Sequence, residues 1–485
     1  MKLFAAALNF RSIVHEFELP ETFPPELHKQ AAEATDRFAD QRQDLREVEF
    51  VTIDPPSSMD LDQAVHIERE PEGYRVRYAI ADVAAFVTPG SALEAETIRR
   101  GQTIYVPDDL VRLHPVELSE GSASLLPEVD RPAVVWDMHL DGDGEVVDFT
   151  VFRALVQSRA KLNYEGVQAD FEAGRLHPAI ELLPEVGRLR QSSDARRRAI
   201  NLRLPSVTAQ QVPGQTGGAA HDGPEHGGPQ KTYELQIDPR QEVNDFNAEL
   251  SLMAGLCAGQ MMVDAGYGIV RTLPPAKDKD LVRFDKAARA LGFELGGRHP
   301  GRLLDEVDAS TPRGMALMLD ATTLLRGSGY VAFGFGGDGT PEVHAGVGSY
   351  YAHVTAPLRR LVDRFATEIC LSIAAGVRVP EWVTGRVDEV VEAMARTSPI
   401  ASRVDKACLQ LTQAVVLEPW VGQNFQAAVL RSEPEKKQPQ ADIFVEAPPV
   451  MADCMGAPAE GEAALVTLGR ADPAQREVLF AWPAD

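Results

Sequence analysis

Cysteine is scarce in this chain. The four present, Cys257, Cys370, Cys408 and Cys454, stand far apart with no C-x-x-C pair. That excludes a disulfide scaffold, a zinc finger and an iron–sulfur site, and fits a reducing, cytoplasmic location. Positive charge is also short: 48 Lys and Arg face 72 Asp and Glu, a formal net charge of −24. Such a surface repels polyanions at long range and argues against a sequence-independent nucleic-acid coat. A local basic channel stays open to it, because screening over about 8 Å lets patches act separately. No apolar run approaches the roughly 18 residues of a membrane span. The apolar start, Met1 to Phe10, is short for a signal sequence, and Arg11, His15 and Glu16 after it suit a mature fold.

What is present is length and ordinary globular composition. With 485 residues, 44% hydrophobic and 25% charged, the chain has room for two to four domains at roughly 150 residues each. Residues 1–45 read as a lead-in of one short strand and a polar helix from Glu26 to Gln43. From Val48 the pattern turns to period two, over Phe50–Ile53 and Tyr74–Ile80, and predicts strands. Ser91-Ala92-Leu93-Glu94 is a helix capping box, with Gly101 as the stop. A hairpin is predicted over Ala133–Phe152 around Asp141-Gly142-Asp143-Gly144, and helices over Asn163–Ala173, Ser192–Asn201, Asn247–Asp264, Asp278–Leu291, Gly314–Leu325, Pro357–Ala374 and Arg386–Thr397. The Gly/Pro-rich stretch 212–230 reads as a mobile loop. After residue 405 short strands return, at Phe425–Leu430, Ile443–Val445, Ala464–Leu468 and Val478–Ala481, and suit a small oligonucleotide-binding (OB) barrel. The expected fold class is α+β, with a large domain over 46–405 and the barrel over 406–485.

Two constellations carry chemistry. In Asp54-Pro55-Pro56-Ser57-Ser58-Met59-Asp60-Leu61-Asp62-Gln63, Asp60 and Asp62 fall on one face of an extended chain, and the Pro55–Ser58 turn can return Asp54 beside them. Clustered carboxylates repel one another unless a cation sits among them, and oxygen donors of this kind suit Mg²⁺, with Mn²⁺ the alternative. An isolated D-x-D is more often a solvated acidic turn, and the spacing fails as an EF-hand. The second constellation is His353-Val354-Thr355-Ala356-Pro357-Leu358-Arg359-Arg360-Leu361-Val362-Asp363-Arg364. Thr355 as cap and Pro357 in the first turn predict a helix start bearing two arginines, a phosphate clamp; the plainer alternative pairs the arginines with Asp363 or other acids. Gly334-Phe335-Gly336-Gly337-Asp338-Gly339 matches G-x-G-x-x-G, but no helix pattern follows, so it reads as a turn, and His221 and His226 read as solvated loop residues.

Taken with Tyr78-Ala79-Ile80-Ala81-Asp82-Val83, Tyr105-Val106-Pro107, Leu113-His114-Pro115 and Ser124-Leu125-Leu126-Pro127, these motifs resemble the ribonuclease II (RNB) family of 3′-to-5′ exoribonucleases, over roughly Phe50 to Arg403. The resemblance implies a mixed sheet surrounded by helices, then an RNA-binding OB-type barrel. It makes Asp54, Asp60 and Asp62 active-site aspartates, Tyr105 the ring that packs on the 3′-terminal nucleotide, and Arg359 the contact to the scissile phosphate. RNA contacts from Arg360, His353, Thr355 and, by a looser match, Glu249 follow from it as well. It implies Mg²⁺ as cofactor and single-stranded RNA as substrate, with no nucleotide cofactor and no membrane. The chain departs from the family at Gln63, where a fourth aspartate is usual, at Ala356 in place of serine, and in having only about 45 residues ahead of the catalytic region, where cold-shock barrels are common. Gln63 could still ligate the ion or a water through its neutral oxygen. The expected activity is hydrolysis to nucleoside 5′-monophosphates. The competing expectations are a catalytically impaired RNA-binding or scaffold member of the same family, and a magnesium phosphodiesterase acting on another substrate.

Overall fold

The computed structural model describes residues 5–193, 196, 199–200, 202, 207–216, 231–237, 241–336 and 339–484. Its centre is a curled six-stranded sheet. The order across it is Gln43–Asp44, Val146–Leu162, Phe50–Ile53, Gln63–Glu70, Gly73–Ala81 and Asp130–Asp141. The Val146–Leu162 strand closes the curl. Its first part pairs antiparallel with Asp130–Leu140, and its last part runs parallel to Phe50–Ile53. The two-residue alternation serves two cores. Val76, Tyr78 and Ile80 join Trp136 and the helix Glu242–Ala265 on one face, while Ala79 and Ala81 join Phe50, Val135 and Leu358 on the other. Burying both faces fixes register, because a one-residue slip would exchange every side chain between the two cores.

The Ser91 cap forms as predicted, with the Glu94 side chain reaching back one residue further, to Gly90. Ser91 Oγ accepts from the Glu94 N–H at 3.1 Å, Glu94 Oε2 accepts from the Gly90 N–H at 2.7 Å, and Gly101 ends the helix Ala92–Arg100 at φ +68°. The C-terminal strands close into a five-stranded barrel of order Asn424–Glu433, Gln440–Glu446, Pro449–Met455, Glu477–Ala481, Ala463–Asp472. Among the described residues, no helix is long and apolar enough to cross a membrane.

Several elements differ from the sequence reading. The polar helix of the lead-in is Pro25–Glu33 only. Beyond it the chain opens into a segment held by Arg42, whose guanidinium reaches Asp36 and Asp82. A helix stands at Leu183–Gln191, just before the predicted Ser192–Asn201, part of which lies outside the described residues. Residues 212–216 belong to the strand Val207–Thr216, which pairs with Lys231–Ile237. The rest of the expected mobile loop, with His221 and His226, lies outside the described residues. One helix, Val387–Leu417, runs through Pro399 and far past the predicted Thr397. No helix follows the G-x-G-x-x-G segment, where Gly334 and Gly336 turn the chain at φ +77° and +96°.

Candidate active site

The aspartate loop is folded by long-range contacts. Asp54 ends its strand with its N–H on the Leu162 carbonyl at 3.1 Å. The following turn is clasped by Lys161, whose Nζ donates to the Pro56 and Ser58 carbonyls at 2.8 and 2.5 Å. Ser124 Oγ donates to the Met59 carbonyl and accepts from the Leu61 N–H. These clasps return Asp60 toward Asp54. Burial, and after it the Asp60 charge, push the Asp54 carboxyl up to about 6, against the pull of Lys161 and Arg359. Asp60 is raised too, by burial first and then by Glu120, with Arg112 and Arg359 opposing. Asp62 is 4% exposed. Burial pushes it well above the usual carboxylate range, although Arg359 and the Leu358 N–H favour its anion.

The arginine segment differs from the predicted helix start. The helix begins at Leu361, and residues 357–359 form the turn before it. Five anchors hold this turn. Gln63 Nε2 donates to the Thr355 carbonyl at 2.5 Å, Asp363 Oδ1 accepts from the Ala356 N–H at 2.7 Å, and His114 Nε2 lies 3.2 Å from the Pro357 carbonyl. Asp62 Oδ1 accepts from the Leu358 N–H at 2.8 Å, and the Thr103 N–H donates to the Arg359 carbonyl at 2.9 Å. Thr355 therefore does not cap the helix; its buried hydroxyl meets that of Ser251 at 2.8 Å.

This turn sends the two arginines in different directions. Arg359 Nε stands 3.8 Å from Asp62 Oδ2 with its side chain 44% exposed. Its exposed guanidinium can meet a ligand. Arg360 turns inward: its Nε and an Nη each donate at 2.8 Å to the fully buried Asp363 carboxylate. These bonds use Nε and one Nη of Arg360; the RNA contact expected at this residue would fall to its other Nη. His353 is half-buried and also has partners within the protein. Its Nδ1 lies 2.7 Å from the Tyr330 hydroxyl, its ring packs edge-on against Tyr351, and burial, with Arg360 and Arg271, keeps it neutral.

Tyr105 lies on the short strand Ile104–Val106, whose approach through Thr103 is pinned to the Arg359 carbonyl. Its ring is 49% exposed. Its hydroxyl is crowded by protein and pushed up to about 12, with Arg359 opposing and Asp60 and Asp62 adding. The ring is thus open to solvent while its hydroxyl feels Arg359, Asp60 and Asp62. Glu249 sits apart. It is buried, pairs with Arg196 Nε at 3.0 Å, and is raised by burial.

Sequence reasoning passed over Tyr164 and Ser251. The Tyr164 hydroxyl accepts from Asn247 Nδ2 at 3.2 Å and feels the Asp54 charge. The Asn163 cap that starts its helix was legible, but not the direction of its ring.

Among the described residues, no three carboxylate, imidazole or thiolate groups form a ready metal cage. Asp62 Oδ1 is engaged by the Leu358 N–H, and Gln63 uses its Nε2 on the Thr355 carbonyl, which leaves its Oε1, the atom that could ligate an ion, outside that bond. Asp54 and Asp60 still fit a hard divalent ion. They are partly desolvated carboxylates, the Asp60 charge raising Asp54, and Mg²⁺ commonly takes one or two carboxylates and completes its shell with water and substrate phosphate.

Residues 42–371 match the RNB domain model, and residues 423–482 match the RNase II-type exonuclease C-terminal S1 domain. Ribonuclease R of Chlamydia trachomatis is 26% identical over 449 residues, 89% of this chain, and the chain covers 61% of that relative's length. The fold is similar to Mycoplasma genitalium RNase R in complex with ribose-methylated single-stranded RNA. That match has a TM-score of 0.84 at 16% identity, covering 98% of this chain and 77% of the other. It is also similar to yeast Ssd1, described as a pseudonuclease, with a TM-score of 0.70 at 14% identity, covering 92% of this chain and 55% of the other. With its RNB match spanning most of its length, the chain belongs to the RNB family.

Proposed function

We propose that this protein is a metal-dependent 3′-to-5′ exoribonuclease that shortens single-stranded RNA to nucleoside 5′-monophosphates. The observation that carries this reading is the single turn at 355–360. It sets Arg359 within 3.8 Å of Asp62, whose carboxylate shares electrostatic contact with Asp60, and it pins the strand that carries Tyr105. Asp54 and Asp60 would hold Mg²⁺, which when bound supplies charge neutralisation at phosphate oxygens and acidifies a water. Asp62 accepts a proton from the attacking water, a task suited to a carboxyl raised by burial. Arg359, half exposed on a rigid turn, offsets charge developing on the phosphoryl oxygens. Tyr105 stacks on the terminal nucleotide and sets the register of cleavage.

End-labelled RNA and DNA of one sequence, incubated with Mg²⁺ or with EDTA, test the reading. Metal-dependent shortening of the RNA alone is expected. Cleavage of DNA at a similar rate would favour a broader phosphodiesterase, and persistence of both would refute the activity.

A second reading has one observation behind it. Position 63 is a neutral glutamine, whose Nε2 donates to the Thr355 carbonyl, so it brings no anion to the site, and one similar fold is described as a pseudonuclease. On that reading the chain binds RNA without cutting it. Gln63→Asp separates the two. For an active enzyme it lowers the Mg²⁺ needed for half activity by about threefold or more, since ligand charge tunes affinity; for an impaired one it creates activity where the native chain shows none.

A further inference from the structure

We infer that residues 5–16 of the lead-in belong to the grip on the RNA 3′ end: they seat the small hairpin that carries Tyr105, and Asp108 at the tip of that hairpin is a positioning residue for the Tyr105 ring. The seating stands on contacts alone; its effect on RNA rests on the proposed stacking role of Tyr105.

The hairpin is short. Ile104–Val106 pairs with Asp109–Val111 through three residue pairs, with Tyr105 opposite Leu110. Two strands of this size are marginal by themselves and take their position from what they rest on. Alternation gives them two faces. Ile104, Val106 and Val111 are each 5% exposed, whereas Tyr105 stands 49% exposed. The base of the hairpin is held at the arginine turn, by the Thr103 N–H on the Arg359 carbonyl and by the Leu113 N–H on Thr103 Oγ1 at 3.1 Å. The tip, Pro107-Asp108, needs a separate anchor.

The lead-in supplies it. The strand Ala5–Leu8 lies antiparallel to Lys231–Ile237, with Leu8 opposite Lys231. The chain then turns into the helix Arg11–Glu16, and at that turn the Phe10 N–H donates to Asp108 Oδ2 at 3.0 Å. A carboxylate acceptor makes this one of the stronger kinds of backbone hydrogen bond. Lys231 Nζ reaches the Asp108 carbonyl at 3.5 Å from the neighbouring strand. Beneath the hairpin the Phe10 ring is fully buried and meets Tyr233 edge-on, with centroids 5.2 Å apart. Phe10, Ile13 and Val14 share one core with Ile104, Val106 and Val111.

Base and tip together set the height of the Tyr105 ring. Asp108 is three residues from Tyr105, at most roughly 10 Å of extended chain, so slack at the tip passes directly to the ring. Long RNA is held along its length, and the loss of one stacking contact matters most once the substrate is short. A Tyr105 ring freed from its seat should therefore release short RNAs early.

Cleavage of 5′-labelled oligouridine by the full chain in Mg²⁺, paired with hydrogen exchange on the same proteins, tests this. In Asp108→Ala the final product should be longer than the native one by about one nucleotide or more. Its KM for RNAs near that length should rise about threefold or more, with kcat on long RNA within about threefold of native. Amides of 104–111 should exchange about tenfold faster or more. Asp108→Asn keeps an oxygen for the Phe10 N–H and should restore the native length. Tyr74→Phe removes a hydrogen bond to Glu185 at 2.6 Å outside this hairpin, and should lower the melting temperature while leaving the product length alone. A native product ladder in Asp108→Ala despite faster exchange, no restoration in Asp108→Asn, or a shifted ladder in Tyr74→Phe would overturn the inference. Should Asp108→Ala fail to fold, Phe10→Leu thins the pad under the hairpin, and the same lengthening is then required. If Tyr105→Ala itself keeps the native ladder, or the native chain shortens no RNA, the proposed function fails instead, and the seating is decided by exchange over 104–111 in Asp108→Ala, where an unchanged rate overturns it.

Discussion

Neighbouring arginines on one turn should give opposite phenotypes. Arg359 and Asp62 are 3.8 Å apart, and two unit charges at that distance attract by about 4 kcal/mol at an effective dielectric near 20. With the Arg359 side chain 44% exposed, solvent and salt screen this toward the surface-pair range of about 0–1 kcal/mol. Arg359→Ala should therefore move the melting temperature by less than about 2 °C. Its loss should appear in rate, about 100- to 1000-fold, the effect of removing one preorganised donor from a transition state. Arg360 is the reverse. Its fork meets a fully buried Asp363, and removing it strands that carboxylate, at about 3–5 kcal/mol of stability. The assay is a thermal melt paired with single-turnover cleavage of end-labelled RNA for both variants. Equal melting losses in the two, or an Arg359→Ala rate within about fivefold of native, would refute the assignment of one arginine to chemistry and the other to structure.

Three further outcomes follow from the site and its supports. Asp62→Asn keeps an oxygen for the Leu358 N–H, so RNA affinity should stay within about threefold while cleavage falls by about 100-fold or more, read by filter binding beside a cleavage assay. Tyr105→Ala removes a half-exposed ring and should lengthen the final product more than it slows the early steps; an unchanged product ladder would remove the stacking role. Glu368, bridged through Arg153 to Asp82, is raised to about 7, chiefly by burial. A raised carboxyl favours the protonated fold, so its contribution is intact below its unfolded value near 4.5 and is lost as pH climbs through about 7. Glu368→Gln should therefore melt above the native protein at pH 8 and close that gap by pH 5, and the opposite trend would reverse the sign.

Much of the site was legible because its residues lie in short motifs. Asp54, Asp60, Asp62, Tyr105 and Arg359 lie within electrostatic reach of one another, although 305 positions separate Asp54 from Arg359. What stayed hidden depends on contacts between distant segments. Pro357 looks locally like a first-turn proline, yet Asp62, Gln63 and His114 capture the polar atoms of the turn and delay the helix to Leu361. Arg360 followed the plainer of its two sequence readings, the i to i+3 pairing with Asp363. In the barrel, Pro449–Met455 escaped notice because a proline opens it and Asp453 interrupts its apolar pattern.

The most direct measurement uses single-stranded oligouridine labelled in its 3′-terminal nucleotide, mixed with the native chain and with Asp62→Asn in Mg²⁺. The account requires the native chain to release the label as a mononucleotide in its first turnover, and the variant to leave it in place. Release within longer fragments, or equal release by both proteins, would contradict a 3′-end hydrolase built on the residue 54, 60, 62 and 359 constellation.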